Sequence, residues 1–286
     1  LNFILGLSYT IVVLLFLDQI LLFFGASSET LPYARDFMVV ITLGNVVTHM
    51  YFGLNALMRA SGNPKRSMYA TIFSVIINII LAPLFIFVLK WGIRGAALAT
   101  VIAQTSMLIW QLSYFMNRQN FIHFQNGSFR LKRKIVTDSM SIGLAPFLMN
   151  TAGSIIIIVI NQNLIKHGGD LAVGAFGIIN RVAALFAMVV FGLTQGMQPI
   201  AGYNFGAKQF DRVNTVMKLT VLLATAVMTV GFLISEIFPH AVASAFTTEE
   251  DLIDIVVPGL RIVMIFFPII GFQMVASTFF QSIGMA

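Results

Sequence analysis

Cysteine is absent from this 286-residue chain, which removes disulfides and thiolate metal sites and leaves the redox compartment unread. Charge is scarce as well. Lys, Arg, Asp and Glu make up only 10% of the residues, against about 25% in soluble domains. The four histidines, His49, His123, His167 and His240, are scattered without metal-ligand spacing. The glycines of the Gly192–Gly206 stretch follow no strand and lack the phosphate-loop pattern. No acids or histidines gather at one membrane depth, so an integral-membrane enzyme is not indicated. Strand-length alternation is also missing. Runs such as Ile155-Ile156-Ile157-Ile158-Val159-Ile160 are apolar on every face, which argues against an outer-membrane barrel.

What the chain has in abundance is apolar length. Hydrophobic residues make up 58%, with 27 Phe and 15 Met, and the mean hydropathy is +0.91. A span needs roughly 20 apolar residues, and eight segments qualify: 3–25, 34–58, 67–89, 94–116, 136–165, 172–197, 213–238 and 255–281. Breakers separate them at Gly62-Asn63-Pro64, Trp91-Gly92, Gly168-Gly169, Gly206-Ala207 and Pro239. The expected fold class is therefore an all-α membrane protein, a polytopic helical bundle. The longest polar stretch, 118–134, divides it into an N-terminal part (1–117) and a C-terminal part (135–286).

The net charge of +6 reflects topology and calls for no nucleic-acid partner. Arg59, Lys65, Arg66, Arg118, Arg130, Lys132, Arg133, Lys134, Lys208, Arg212 and Lys218 fall on one side of the membrane. Only Arg35, Lys90, Arg94 and Lys166 fall on the other, with Glu249, Glu250, Asp251 and Asp254. The positive-inside rule makes the 118–134 linker cytoplasmic. The two parts also echo each other. Arg59-Ala60-Ser61-Gly62-Asn63-Pro64-Lys65 returns in weakened form as Gln281-Ser282-Ile283-Gly284, so Phe24–Gly62 overlies Phe246–Gly284 at an offset of 222. Membrane spans in two related halves are a mark of secondary transporters.

Polar side chains inside spans are the functional candidates. Asp18 reads as mid-membrane in the first span, either a carboxylate for proton or sodium coupling or a partner for a base on another helix. Asn78 and Thr100 lie in consecutive spans, with Gln104 one turn beyond Thr100 on the same face. They are either oxygens for a hard cation such as sodium or simple interhelical bonds. The C-terminal part carries Asn150, Asn161, Asn180, Arg181, Gln195 and Gln198. Arg181 lies too deep to snorkel outward and is expected to meet an acceptor in the bundle. Pro146, Pro199, Pro258 and Pro268 can free carbonyls and bend helices around a cavity.

Three stretches carry a family resemblance. Leu57-Met58-Arg59-Ala60-Ser61-Gly62-Asn63-Pro64 leads to Ile77-Asn78-Ile79-Ile80-Leu81-Ala82-Pro83. Trp91-Gly92-Ile93-Arg94-Gly95-Ala96-Ala97-Leu98-Ala99-Thr100 follows. Gln195-Gly196-Met197-Gln198-Pro199-Ile200-Ala201-Gly202-Tyr203-Asn204-Phe205-Gly206 comes in the second half. In that order the chain resembles the multidrug and toxic-compound extrusion (MATE) transporters.

The resemblance implies twelve helices in two repeated lobes, with eight present here as the third to the tenth. An internal fragment is also what the termini suggest, since the sequence lacks an initiator Met and stops within a turn signal. Residues 1–286 alone are then not expected to transport. The family exports amphiphilic or cationic small molecules in exchange for protons or sodium ions, by alternating access. No cofactor is expected beyond that coupling ion, and a monomer in the plasma membrane is expected, the inner membrane in a Gram-negative bacterium.

Residue by residue, the family's fifth-helix Asn and sixth-helix Thr match Asn78 and Thr100. The fifth-helix Asp falls on Ala82, a departure, and the seventh-helix Glu of other members has no counterpart after Pro146. Asn78, Thr100 and Asp18 are thus the coupling candidates, with sodium conceivable at the first two. Gln104, Asn150, Asn180, Arg181 and Gln198 are the cavity candidates. The rival reading is a flippase for lipid-linked saccharides. It should line its cavity with several cations to hold a pyrophosphate, and only Arg181 and Arg261 lie in spans.

Overall fold

The computed structural model describes residues 1–285 apart from 25–29, 121, 126, 128 and 129. The described residues form ten α-helices and no strand. In order these are α1 (Asn2–Leu15), α2 (Leu17–Phe23), α3 (Leu31–Ala60), α4 (Pro64–Pro83), α5 (Gly92–Met116), α6 (Arg133–Gly206), α7 (Phe210–Ile237), α8 (Pro239–Ser244), α9 (Glu250–Met264) and α10 (Phe267–Ser282). A five-residue π-helical segment, Leu84–Val88, continues α4 beyond Pro83. The chain divides into two compact units, Leu1–Lys132 and Arg133–Ala286.

Five helices, α3, α4 with its π segment, α5, α6 and α7, are long and apolar enough to cross a membrane. Two bent pairs, α1 with α2 and α9 with α10, pass the same test when each pair is taken as one span. The 74 residues of α6 would extend about 110 Å as one straight helix, far beyond a hydrocarbon core of about 30 Å. It breaks at Gly169, whose φ of 64° and ψ of −164° lie in a region that only glycine occupies readily. The break leaves one apolar segment before it and one after it, so by length and composition the described residues supply eight candidate crossings when each bent pair counts as one.

The first and last spans are bent. The 3–25 segment breaks at Phe16, where the axis turns by 77°. The 255–281 segment bends by 51° between α9 and α10. Pro268, at the start of α10, explains the second bend, because it cannot donate to the carbonyl one turn back. No proline or glycine stands at Phe16. Pro146, Pro199 and Pro258 lie inside continuous helices, without a break at any of them.

The halves repeat in backbone detail. Phe16 donates its N–H to Val12 O and accepts from Ile20 N–H; 222 residues on, Phe238 donates to Ile234 O and accepts from Val242 N–H. Each phenylalanine ends one helix and caps a short second one. The cap that ends α3 recurs at the end of α10. Ser61, Gly62 and Asn63 donate to Leu57, Arg59 and Met58; Ile283, Gly284 and Met285 donate to Phe279, Gln281 and Phe280. Gly62 and Gly284 have φ of 81° and 77°, the left-handed conformation such a helix end requires.

Each unit has its own core. In the first, Tyr51, Leu54 and Met58 of α3 pack with Leu108, Tyr114 and Phe115 of α5 and Ala70 of α4. In the second, Phe267, Val275 and Phe279 of α10 follow one another at helical spacing with Gly271 and join Ala224 and Met228 of α7. Val256, Leu260 and Met264 of α9 complete the same core. All the buried residues of α6 lie from Ala172 onward.

The charge asymmetry gives an orientation that labelling can check. Asn126, in the linker, lies outside the described residues, so Lys134 serves as the inner probe. In intact cells a membrane-impermeant thiol reagent should label a cysteine placed at Thr248 and spare one at Lys134. The reverse pattern would invert the topology.

Candidate functional site

The first unit gathers its polar side chains along the seams between helices. Asn78 of α4 donates through Nδ2 to Thr100 Oγ1 of α5 at 3.0 Å, and Thr100 donates in turn to Ala96 O at 3.2 Å. Thr100 thus spends its proton on its own helix and offers a lone pair to Asn78. Asn78 Oδ1 keeps its accepting capacity. Ala82, one turn further along α4, contributes only a methyl group, so the pair is a neutral oxygen site.

Gln104 turns to a different helix. Its Oε1 accepts from Thr48 Oγ1 of α3 at 2.5 Å. The ladder then continues to α1, where Asn45 Nδ2 donates to Gly6 O at 3.3 Å and Thr10 Oγ1 donates to Thr42 O at 3.0 Å. Four helices are therefore joined by side-chain bonds at about the same depth. Thr48 and Asn45 were not among the sequence candidates. Hydroxyls in a span usually bond their own helix, as Thr105 does to Val101 O, so composition alone does not flag them.

Asp18 does not continue the first helix. It lies just past the break at Phe16, in the first turn of α2, and its Oδ1 stands 3.2 Å from Arg35 Nε without hydrogen-bond alignment. The two side chains are 47% and 60% exposed, and Arg35 lies in the first turns of α3. Counting residues from the start of the span assumed a straight helix, and the 77° bend removes that assumption. Asp36 and Arg94 form a second ion pair nearby in sequence, at 2.5 Å, between α3 and α5.

In the second unit Asn150 and Gln198 come together. They line a cavity of about 300 Å³ with Gln195, Ser277, Thr278 and Gln281. Met149, Met274, Phe191 and Pro146 supply its apolar wall. Every hydroxyl on the lining has already spent its proton: Thr194 on Phe191 O, Thr278 on Met274 O and Ser277 on Met149 Sδ. Asn150 commits one N–H to Pro146 O, and Gln281 commits one to Ser277 Oγ. The hydroxyls thus face the cavity as acceptors, the Gln198 amide offers N–H groups as well as its oxygen, and no Lys, Arg, Asp or Glu is among the described lining residues.

Asn180 and Arg181 do not join this group. They are exposed on α6, on the face turned away from buried Ile178, Ile179 and Val182. Asn180 Nδ2 bonds Phe176 O of its own helix. The expectation of an interior acceptor for Arg181 is not met among the described residues. The other in-span arginine, Arg261, lies 3.8 Å from Glu236.

The chain matches the MatE family over residues 1–84 and 141–286. It is 29% identical over 260 residues to the multidrug export protein MepA of Staphylococcus aureus strain MSSA476, covering 91% of this chain and 57% of that protein. MepA of Staphylococcus haemolyticus strain JCSC1435 is 27% identical over 263 residues, covering 92% and 58%. A solved outward-facing structure of a multidrug resistance MATE family transporter of the MOP superfamily is similar with a TM-score of 0.92 at 25% identity, over 99% of this chain and 64% of that one. The chain therefore spans less than two thirds of the length of these relatives. By sequence over most of its length, and by its all-helical fold with repeated broken spans, it belongs to the MATE family of multi-pass plasma-membrane proteins.

Proposed function

We propose that the full-length protein is a secondary transporter that exports drugs or other organic cations in exchange for protons or sodium ions. The observation that carries this reading is the repeat of a broken span and a capped helix at an offset of 222 within a MATE-family chain. Repeated membrane bundles with discontinuous helices support alternating access, because each half can rock against the other about a site near the midplane. The relatives named as multidrug export proteins support the same reading.

The amide-lined cavity of Asn150, Gln198 and Gln281 suits a ligand with hydrogen-bonding groups, and its Met and Phe walls suit an apolar body of varied shape. A lipid-linked pyrophosphate would find no cation on that lining, which disfavours the flippase reading. Asn78 and Thr100 remain the coupling candidates in the first unit, with Gln104 on the adjoining turn. The transporter works as a monomer in this reading.

The test is flux in vesicles. Full-length protein in liposomes should move a fluorescent cationic drug when an inward proton or sodium gradient is imposed, and the gradient that drives it identifies the ion. No flux with either ion would remove the antiport reading. Within this framework Gln198→Leu, which deletes an amide from the cavity, should raise the half-saturating drug concentration by roughly tenfold, the equivalent of ~1.4 kcal/mol. An unchanged concentration dependence would place substrate elsewhere.

A further inference from the structure

Gln111 of α5 is fully buried, and neither its Oε1 nor its Nε2 has a hydrogen-bond partner among the described residues. An amide in that position loses its water without replacement, so a native structure that keeps it calls for a reason. The register of the neighbouring helices supplies one. α3 and α5 run parallel, because each short turn between α3, α4 and α5 reverses the chain. Their contacts keep nearly constant spacing: Asp36 with Arg94, Gly44 against Val101, and Thr48 with Gln104, at offsets of 58, 57 and 56. Seven residues make almost two full turns. Two turns beyond Thr48 and Gln104 stand Asn55 and Gln111, at one depth and on the same two faces.

Asn55 is itself buried and fully engaged elsewhere. Its Oδ1 accepts from Ser67 Oγ and from Arg59 Nη1. Its Nδ2 donates to Ser67 O at 3.1 Å and to Thr71 Oγ1 at 3.4 Å. One amide thus ties the end of α3 to the start of α4 and holds the Arg59 guanidinium against them. The start of α4 is in turn held to α5, where Arg66 lies 4.7 Å from the centre of the Tyr114 ring.

We propose that Asn55 is a two-position latch and that Gln111 is its second seat. In the arrangement seen, Asn55 grips Ser67, Thr71 and Arg59 while Gln111 is orphaned. In the other, Asn55 turns to Gln111, α3 shifts along the α4–α5 pair, and Arg59 swings into water beside the Ser61–Asn63 turn. The arrangement seen leaves the Gln111 amide unsatisfied, and the other leaves Ser67 and Thr71 without Asn55, so each carries a polar cost that the other relieves. Gln111 is a positioning residue here and touches no substrate. The inference rests on the transport reading, since it assigns to the latch the inner end of the first unit during alternating access.

The test separates the two ideas. Amide hydrogen exchange over residues 55–71 is followed in full-length protein in lipid nanodiscs, alongside drug flux in vesicles. Gln111→Met keeps the volume and removes the orphaned amide, so it should favour the gripped arrangement. Exchange in this segment and flux should both fall by about tenfold, with thermal stability unchanged or raised. Ser67→Ala removes one grip on Asn55 and should speed exchange by roughly threefold. If Gln111→Met exchanges and transports like wild type, Gln111 is inert and the latch is wrong. If it lowers stability and speeds exchange, Gln111 supports the arrangement seen and the latch is equally wrong. Should Gln111→Met fail to fold, the Ser67→Ala result decides alone: faster exchange supports the latch, and unchanged exchange removes it. A wild type without flux would sink the transport reading while leaving the exchange comparison intact.

Discussion

Gly271→Val should be among the most damaging single substitutions in the second unit. Gly271 sits in the middle of the α10 stripe formed by Phe267, Val275 and Phe279, and it faces α7 at Ala224 and Met228. A Cβ at this position would lie 2.9 Å from the backbone oxygen of Ala224, 3.1 Å from its carbonyl carbon and 3.1 Å from Met228 Cγ. Backbone cannot turn aside as a side chain can, so the helices must separate. Separation opens the core shared by Ala224, Met228, Val275 and Leu260, all essentially inaccessible. Small residues are what allow membrane helices to approach this closely, where lipid offers no hydrophobic drive for association. Overpacking of this kind costs about 1–3 kcal/mol or more, and the branched valine adds to it. A drop in the thermal aggregation midpoint on the order of 10 °C is expected, with less protein recovered from membranes. Gly271→Ala should fall between. Gly143→Ala, where an added Cβ meets nothing within 4 Å, should behave as wild type. Equal stability of Gly271→Val and wild type would mean that α7 and α10 are not packed as described.

The contrast between Gly271 and Gly143 shows where sequence reading reaches its limit. The spans were legible because a membrane demands length and apolarity, and Gly62, Gly169 and Gly284 were legible because each stands at a turn. Which in-span glycine meets a backbone cannot be read, because that depends on which helices become neighbours. The break at Phe16 was hidden for a related reason. It has no proline or glycine of its own, and only its counterpart at Phe238 is followed by Pro239. Aligning the two halves at an offset of 222 sets these positions together, so a signal existed in the repeat rather than in the local sequence. For Asp18, a depth counted along a straight helix lost its basis once the helix bent two residues earlier. Asn78 and Thr100 were found from their residue types. Thr48 and Ser277 were missed because a hydroxyl in a span is ordinarily mute, and only tertiary register decides whether it reaches across.

Asp18→Asn in the full-length protein should leave gradient-driven efflux nearly unchanged, whereas loss of the coupling carboxylate should abolish it. Asp18 pairs with Arg35 at 3.2 Å, and both side chains are about half exposed. An exposed pair of that kind contributes little, typically under about 1 kcal/mol. A group that binds a cation in one state and releases it in another must instead alternate between burial and water. The neutral site of Asn78 and Thr100 cannot do this alone, because amide and hydroxyl oxygens offset little of a cation's dehydration cost in a low-dielectric interior. Asn78→Ala should therefore weaken coupling only a few-fold, roughly the loss of one interhelical hydrogen bond. The essential acid is then expected on a helix of the full-length protein beyond these residues. Ala82→Asp provides the converse test. A carboxylate one turn from Asn78 would complete the donor set and should restore efflux to a variant lacking that acid. Loss of efflux in Asp18→Asn, with the protein still folded and inserted, would move the coupling site to the outer end of α2 and overturn this assignment.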